Sequence, residues 1–126
     1  KSMGEINWDN SASSIRNLVR GLTPWPGAYT FLNGQRLKVW KVEEGVYSTD
    51  NEAFPGTVIA SDEQNGLLVR CGDGVLRITQ LQGPGSRSMS DMDYLRGKPI
   101  EVGTLLGNQE AYITRLEGRK RENEFS

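Results

Sequence analysis

The chain has 126 residues, 36% hydrophobic and 25% charged, with 15 Lys+Arg against 16 Asp+Glu and a formal charge of −1. That length fits one domain with a single core, and no apolar run approaches the ~20 residues a membrane-spanning helix needs. The sequence holds no histidine, the commonest general base and metal ligand, and its lone cysteine, Cys71, excludes an internal disulfide or a multi-cysteine metal cage.

The N-terminal Lys1-Ser2-Met3-Gly4-Glu5 has no apolar stretch behind its charge and does not read as a signal peptide. With one cysteine, a reducing cytoplasm is the expected compartment. Residues 11–22 place Ile15, Leu18, Val19 and Leu22 at i, i+3, i+4 and i+7, which predicts an amphipathic helix. Asn10 or Ser11 can cap its start. Gly21 is the expected left-handed closing residue, and Pro24 forbids continuation.

From Ala28 the hydrophobic period switches to two. Residues 28–32 and 36–42 read as strands joined by Asn33-Gly34, a tight hairpin in which both residues tolerate positive φ. In the second strand Leu37 and Val39 face one way, Arg36, Lys38 and Trp40 the other. Residues 43–55 are polar and read as a long loop. Further strands are expected at 57–60, 67–71 and 75–81, with turns at 62–66 and at Gly72-Asp73-Gly74. A short helix is expected over about 90–96, capped by Ser90 with Asp93 three residues on, ended by Gly97 and blocked by Pro99. Residues 100–106 read as a sixth, edge strand.

Short strands with glycine-rich turns and two helices predict a mostly-β fold: an OB-like small closed barrel, one α-helix ahead of it and a second short helix near its C-terminal end. The expected organisation is a domain over residues 1–107 and a charged tail over 108–126, helical or disordered, anchored by Tyr112, Ile113, Leu116 and Phe125.

Among single residues, Trp25 stands between two prolines. The preferred reading packs its indole on the first helix as a seal for the barrel; the competing one stacks it on a base. Tyr29 and Trp40 are expected to fill or cover the barrel. Arg36, Lys38 and Lys41 form the clearest basic cluster, to be weighed against a solvated surface balanced by Glu43 and Glu44. Arg16 and Arg20 lie four apart, off the apolar stripe; Arg70, Arg77, Arg87, Arg96 and Lys98 are scattered cations. Gly72-Asp73-Gly74 lacks the ending of a phosphate loop and reads as a hairpin turn. Asp91 and Asp93 suit the start of a helix, and Cys71 is a small strand residue with no base beside it.

Three stretches together resemble one family: Ile6-Asn7-Trp8-Asp9; Arg20-Gly21-Leu22-Thr23-Pro24-Trp25-Pro26-Gly27-Ala28 running on to Leu37-Lys38-Val39-Trp40; and Gly56-Thr57-Val58 through Cys71-Gly72-Asp73-Gly74 and Leu95-Arg96-Gly97 to Gly103-Thr104. Over roughly residues 5 to 107 they resemble the C-terminal domain of methionyl-tRNA formyltransferase. The resemblance implies a two-part enzyme in which an N-terminal catalytic domain, absent from this chain, uses 10-formyltetrahydrofolate. The C-terminal barrel would grip initiator methionyl-tRNA, with Arg36, Lys38, Lys41, Arg16 and Arg20 as candidate tRNA contacts. No catalytic, cofactor-binding or metal-binding residue is expected in this chain, and alone it should transfer no formyl group. The alternatives are a structural barrel ending a small-molecule (amino-sugar) N-formyltransferase, and a stand-alone protein-interaction barrel.

Overall fold

The computed structural model describes residues 3–46, 53–108 and 117–118. Helix α1 spans Ala12–Leu22 and buries Ala12, Ile15 and Val19. The Ser11 hydroxyl accepts the Ser14 N–H, so Ser11 is the cap. Gly21 stays inside the helix; the expected left-handed stop is replaced by Thr23 in extended conformation, whose N–H and hydroxyl both donate to the Val19 carbonyl (3.1 and 2.8 Å). The threonine satisfies the orphan carbonyl that a glycine cap would have served. Gly97 is likewise the last residue of its helix, with Lys98 capping beyond it.

Strands β1 (Ala28–Leu32) and β2 (Gln35–Gly45) form the expected hairpin, with Leu32 opposite Gln35 and with Asn33 (φ 51°) and Gly34 (φ 82°) at its tip. β2 runs to Gly45, three residues past the expected end of the strand at Val42. Glu43, Glu44 and Gly45 pair with Arg77, Leu76 and Val75 of β5 (Val75–Gln82), so tertiary pairing overrides the polar local composition. The remaining strands are β3 (Val58–Asp62), β4 (Gly66–Arg70) and β6 (Met89–Ser90), followed by helix α2 (Asp91–Gly97). Residues 47–52 of the expected loop lie outside the described residues, as does the expected tail but for Asn108, Glu117 and Gly118.

The six-stranded antiparallel sheet runs β1-β2-β5-β4-β3, with β4 and β6 sharing the second edge of β5. Register shifts between β2 and β5 around Lys41 break the simple alternation: Leu76, Ile78 and Leu81 point inward, the last at a spacing of three. The core gathers Ile15, Val19, Leu37, Val39, Leu67, Val69, Ile78, Leu81 and Leu106.

The sheet is mostly β as expected, but it is not closed into a barrel. β1 and β3 do not pair; residues 103–107 lie between them. Gly103 N–H donates to the Val58 carbonyl, Val58 N–H to Thr104, Leu106 N–H to Gly56 and Gly107 N–H to Phe31, at 2.8–2.9 Å. This replaces the expected edge strand at 100–106, leaving a single bridge between Thr57 and Leu105. Positive φ at Gly103 (98°) and Gly107 (112°) breaks the pleat before a ladder can form.

Asp91 ties the sheet to α2. Its carboxylate, 3% exposed, accepts from Arg77 Nε (2.8 Å) and Nη2 (3.3 Å) and from the Leu67 and Met92 N–H groups. That hydrogen bond raises the guanidinium's pKa further still. At Gly66 (φ +72°) an added Cβ would strike Asp91 Oδ2 and Arg77 Nε, so the turn needs glycine twice over. Asp93 instead pairs on the surface with Arg96 at 2.8 Å.

Cys71 is fully buried, and desolvation pushes its thiol up to about 12. The native protein should therefore resist a thiol-alkylating reagent at pH 8 and react stoichiometrically in denaturant. A mass-spectrometric time course measures this, and rapid native labelling would contradict it.

Candidate nucleic-acid interface

Alternation along β2 turns Leu37 and Val39 into the core and leaves Arg36, Lys38 and Trp40 on the outer face. Both cations sit on aromatic rings. The Arg36 guanidinium lies 3.9 Å from the centroid of Tyr29, which is buried and packs edge-on against Phe31. The Lys38 ammonium lies 4.3 Å from the centroid of Trp40. Trp40 Nε1 donates to Gln82 Oε1 (2.9 Å), and Gln82 Nε2 donates to the Ser86 carbonyl (2.7 Å), which fixes the indole beneath the ammonium. Tyr29 and Trp40 thus cover the sheet as expected, and they also hold two positive charges in place.

Loop 23–27 crosses the same face. At its start the Thr23 hydroxyl reaches the Trp40 carbonyl at 3.5 Å; at its end the Lys38 side chain lies over Gly27, where an added Cβ would meet Lys38 Cε at 2.7 Å. Gly27 N–H closes the loop on the Leu22 carbonyl at 2.8 Å. Between these anchors Trp25 is 84% exposed. The expectation that it seals the core is overturned: the loop is anchored at both ends and carries the indole outward. Trp8 fills the core position instead, 3% exposed, its Nε1 donating to Thr30 Oγ1 at 2.9 Å.

Lys41 is exposed beyond the register shift. Arg16 pairs with Glu44 at 2.7 Å, drawing α1 onto the far end of β2, while Arg20 is exposed in the last turn of the helix. Glu43 faces Arg77 across the β2–β5 ladder. The acids weighed as a counterbalance to the basic cluster therefore lie at the opposite end of the strand, Glu44 eight residues and so about 26 Å from Arg36. Of the scattered cations, Arg70 donates to the Gly74 carbonyl at 3.1 Å, Arg87 is exposed, and Arg77 and Arg96 are the ones bound to carboxylates. Lys98 and Glu101 face a separate cleft of about 460 Å³ beside the hairpin tip, lined also by Asn33, Gln35 and Tyr94. Gly72-Asp73-Gly74 is a hairpin turn between β4 and β5, closed by Cys71 N–H on the Gly74 carbonyl. Among the described residues no group of three or more His, Cys, Asp or Glu is placed to hold a metal ion, and no helix is long and apolar enough to cross a membrane.

Sequence reasoning missed Gln82 and the exposure of Trp25. The flanking prolines were the available signal, since they hold the residue out of the helix's apolar stripe.

This mostly-β architecture, with its leading helix, is shared with part of HypX from Aquifex aeolicus. One variant of that protein aligns with TM-score 0.61 at 16% identity, covering 79% of this chain and 18% of that one. Its complex with tetrahydrofolic acid gives 0.56 at 17%, covering 82% and 20%. At these identities the likeness is one of fold. The chain belongs to the formyl transferase, C-terminal domain family, whose model matches residues 1–99. The methionyl-tRNA formyltransferase of Caldanaerobacter subterraneus subsp. tengcongensis is 49% identical over 106 residues, and that of Bacillus velezensis 48% over 103. These alignments cover 84% and 81% of this chain but 33% and 32% of the relatives, so the chain spans about a third of their length. The sequence resemblance to the C-terminal domain of methionyl-tRNA formyltransferase therefore holds.

Proposed function

We propose that this chain is the tRNA-binding, OB-like C-terminal domain of a cytoplasmic methionyl-tRNA formyltransferase. It holds initiator methionyl-tRNA through its phosphates while an N-terminal domain of the same polypeptide transfers formyl from 10-formyltetrahydrofolate to the methionyl amine at the start of translation. Its role is positional, and Arg36 and Lys38 are its principal contacts, with Lys41 and Arg20 at the margins. Arg16 is the weakest candidate, since a phosphate would have to displace Glu44.

The observation that carries this reading is the seating of Arg36 and Lys38 on aromatic rings of one sheet face, Tyr29 of β1 and Trp40 of β2, remote from the acids of β2. A near-neutral chain can bind a polyanion through such a local strip, because the energy comes from counterions released at the contacted phosphates. Phosphate contacts position the RNA and carry no sequence information.

Arg36→Ala with Lys38→Ala is expected to weaken tRNA binding to the same degree for initiator and other tRNAs. The log–log salt dependence should flatten by roughly 0.7–0.9 for each phosphate that is no longer neutralised. Removing two surface cation–π pairs should lower stability by only about 1–2 kcal/mol, so a thermal melt serves as the folding control. Unchanged affinity and slope in a folded double mutant would remove this face from the interface. No salt-dependent binding by the wild type would favour the small-molecule formyltransferase alternative.

A further inference from the structure

We infer that Trp25 is a stacking platform for an unpaired nucleobase of the bound RNA strand, set beside the cations that take its phosphates; this rests on the RNA-binding reading above. Tryptophan is highly buried on average, and Trp25, 84% exposed, presents its ring to a partner. The indole does not hang from a loose segment. Thr23 is tied to Val19 by two hydrogen bonds, Gly27 closes the loop on Leu22, and Pro24 and Pro26 restrict the backbone on either side of Trp25. A platform held in this way sacrifices little conformational freedom when a flat partner settles on it.

The chemistry of the neighbours selects the occupant. Two residues beyond Trp25, Gly27 lies under the Lys38 side chain, and two residues before it, Thr23 touches the Trp40 carbonyl. The exposed ring thus adjoins a strand face presenting Lys38 and Arg36; the β1–β2 hairpin carries no carboxylate up to residue 41, and Glu5 is bridged to Tyr29 at its edge. A flat π-face beside fixed cations matches one nucleotide, base on indole and phosphate on ammonium. A duplex presents no free base face along its length, so the site favours a single strand such as an unpaired end.

The test uses the 126-residue chain, a short oligoadenylate, a blunt RNA duplex and tRNA, each titrated at several salt concentrations. Trp25→Ala should weaken oligoadenylate binding roughly 5- to 150-fold, the range set by removal of one base stack, with the salt slope unchanged. Trp25→Phe should retain most of the affinity while removing the part of the ligand-dependent tryptophan quench that comes from Trp25. Duplex affinity should be unaffected by either change. By contrast, Arg36→Ala with Lys38→Ala alters the slope for every probe.

If Trp25→Ala leaves oligoadenylate affinity intact while tRNA still binds with its salt dependence, the stacking inference fails and the tRNA reading stands. If the wild type binds neither RNA, both fail. A melting temperature lowered by many degrees in Trp25→Ala would instead make the ring a structural element. Weakened association with a separately supplied catalytic domain, at unchanged RNA affinity, would make it a domain contact. Either result overturns the inference.

Discussion

Trp8→Ala is expected to destabilise the protein by about 3–5 kcal/mol, whereas Trp25→Ala should stay within about 0.5 kcal/mol of wild type. Trp8 is 3% exposed, and its indole is wedged where the N-terminal segment meets the two ends of the sheet. Gly56 (φ 97°) and Gly107 (φ 112°) both flank its ring: a Cβ added at either would meet Trp8 Cδ1 at 3.5 Å, and at Gly56 it would also strike the Leu106 carbonyl at 2.8 Å. The Trp8 carbonyl accepts the Gly72 N–H, and its Nε1 donates to Thr30. Truncation therefore opens a cavity and also strands the Thr30 hydroxyl, which is fully buried. Urea unfolding of the two variants decides the matter: a midpoint lowered by Trp25→Ala and spared by Trp8→Ala would reverse the assignment.

The second large effect is expected at Asp91. Asp91→Ala should cost roughly 1–3 kcal/mol, because it removes the buried carboxylate of a part-buried ion pair and leaves the Leu67 N–H without its acceptor. Arg77→Met should also destabilise, since the carboxylate would then be buried against backbone donors alone. The double substitution Arg77→Met with Asp91→Leu should cost clearly less than the sum of the single changes, because paired apolar replacements avoid the uncompensated charge. A double-mutant cycle from denaturant midpoints measures this coupling; strictly additive effects would mean the pair contributes nothing as a pair. None of these changes touches Arg36 or Lys38, so a folded Arg77→Met with Asp91→Leu protein should bind tRNA as the wild type does.

Much of the candidate interface was legible because it depends on local period. Arg36 and Lys38 lie two apart on a strand bounded by an Asn-Gly turn, and a pleat of period two must bring them to one face. The cap at Ser11, the hairpin at Asn33-Gly34 and the Gly72-Asp73-Gly74 turn follow likewise from residues within a few positions of one another. What lay beyond reach was set by partners distant in the chain. Glu43 and Glu44 read as loop because nothing near them says that Arg77 and Leu76 supply a ladder, and only that ladder carries them away from the basic strip.

Asp91 reads as a helix-dipole carboxylate, yet its energetic role comes from Arg77, 14 residues away, and from the N–H of Leu67. The count of strands suggested closure; the positive φ of Gly103 and Gly107 turned the last candidate strand into a seam between β1 and β3. The two tryptophans show the same division most sharply. Hydrophobicity and position beside a helix favour burial for Trp25, but burial is decided by which surfaces close over a side chain. The chain closes over the Trp8 ring through Gly56 and Gly107, and nothing among the described residues closes over the loop between Thr23 and Gly27. The amino-acid sequence by itself determined the turns, the helix and the facing of the cations, all products of local stereochemistry. The tertiary structure alone decided which aromatic is core and which is open, and where each charge finds its partner, because those depend on contacts between residues that only folding brings together.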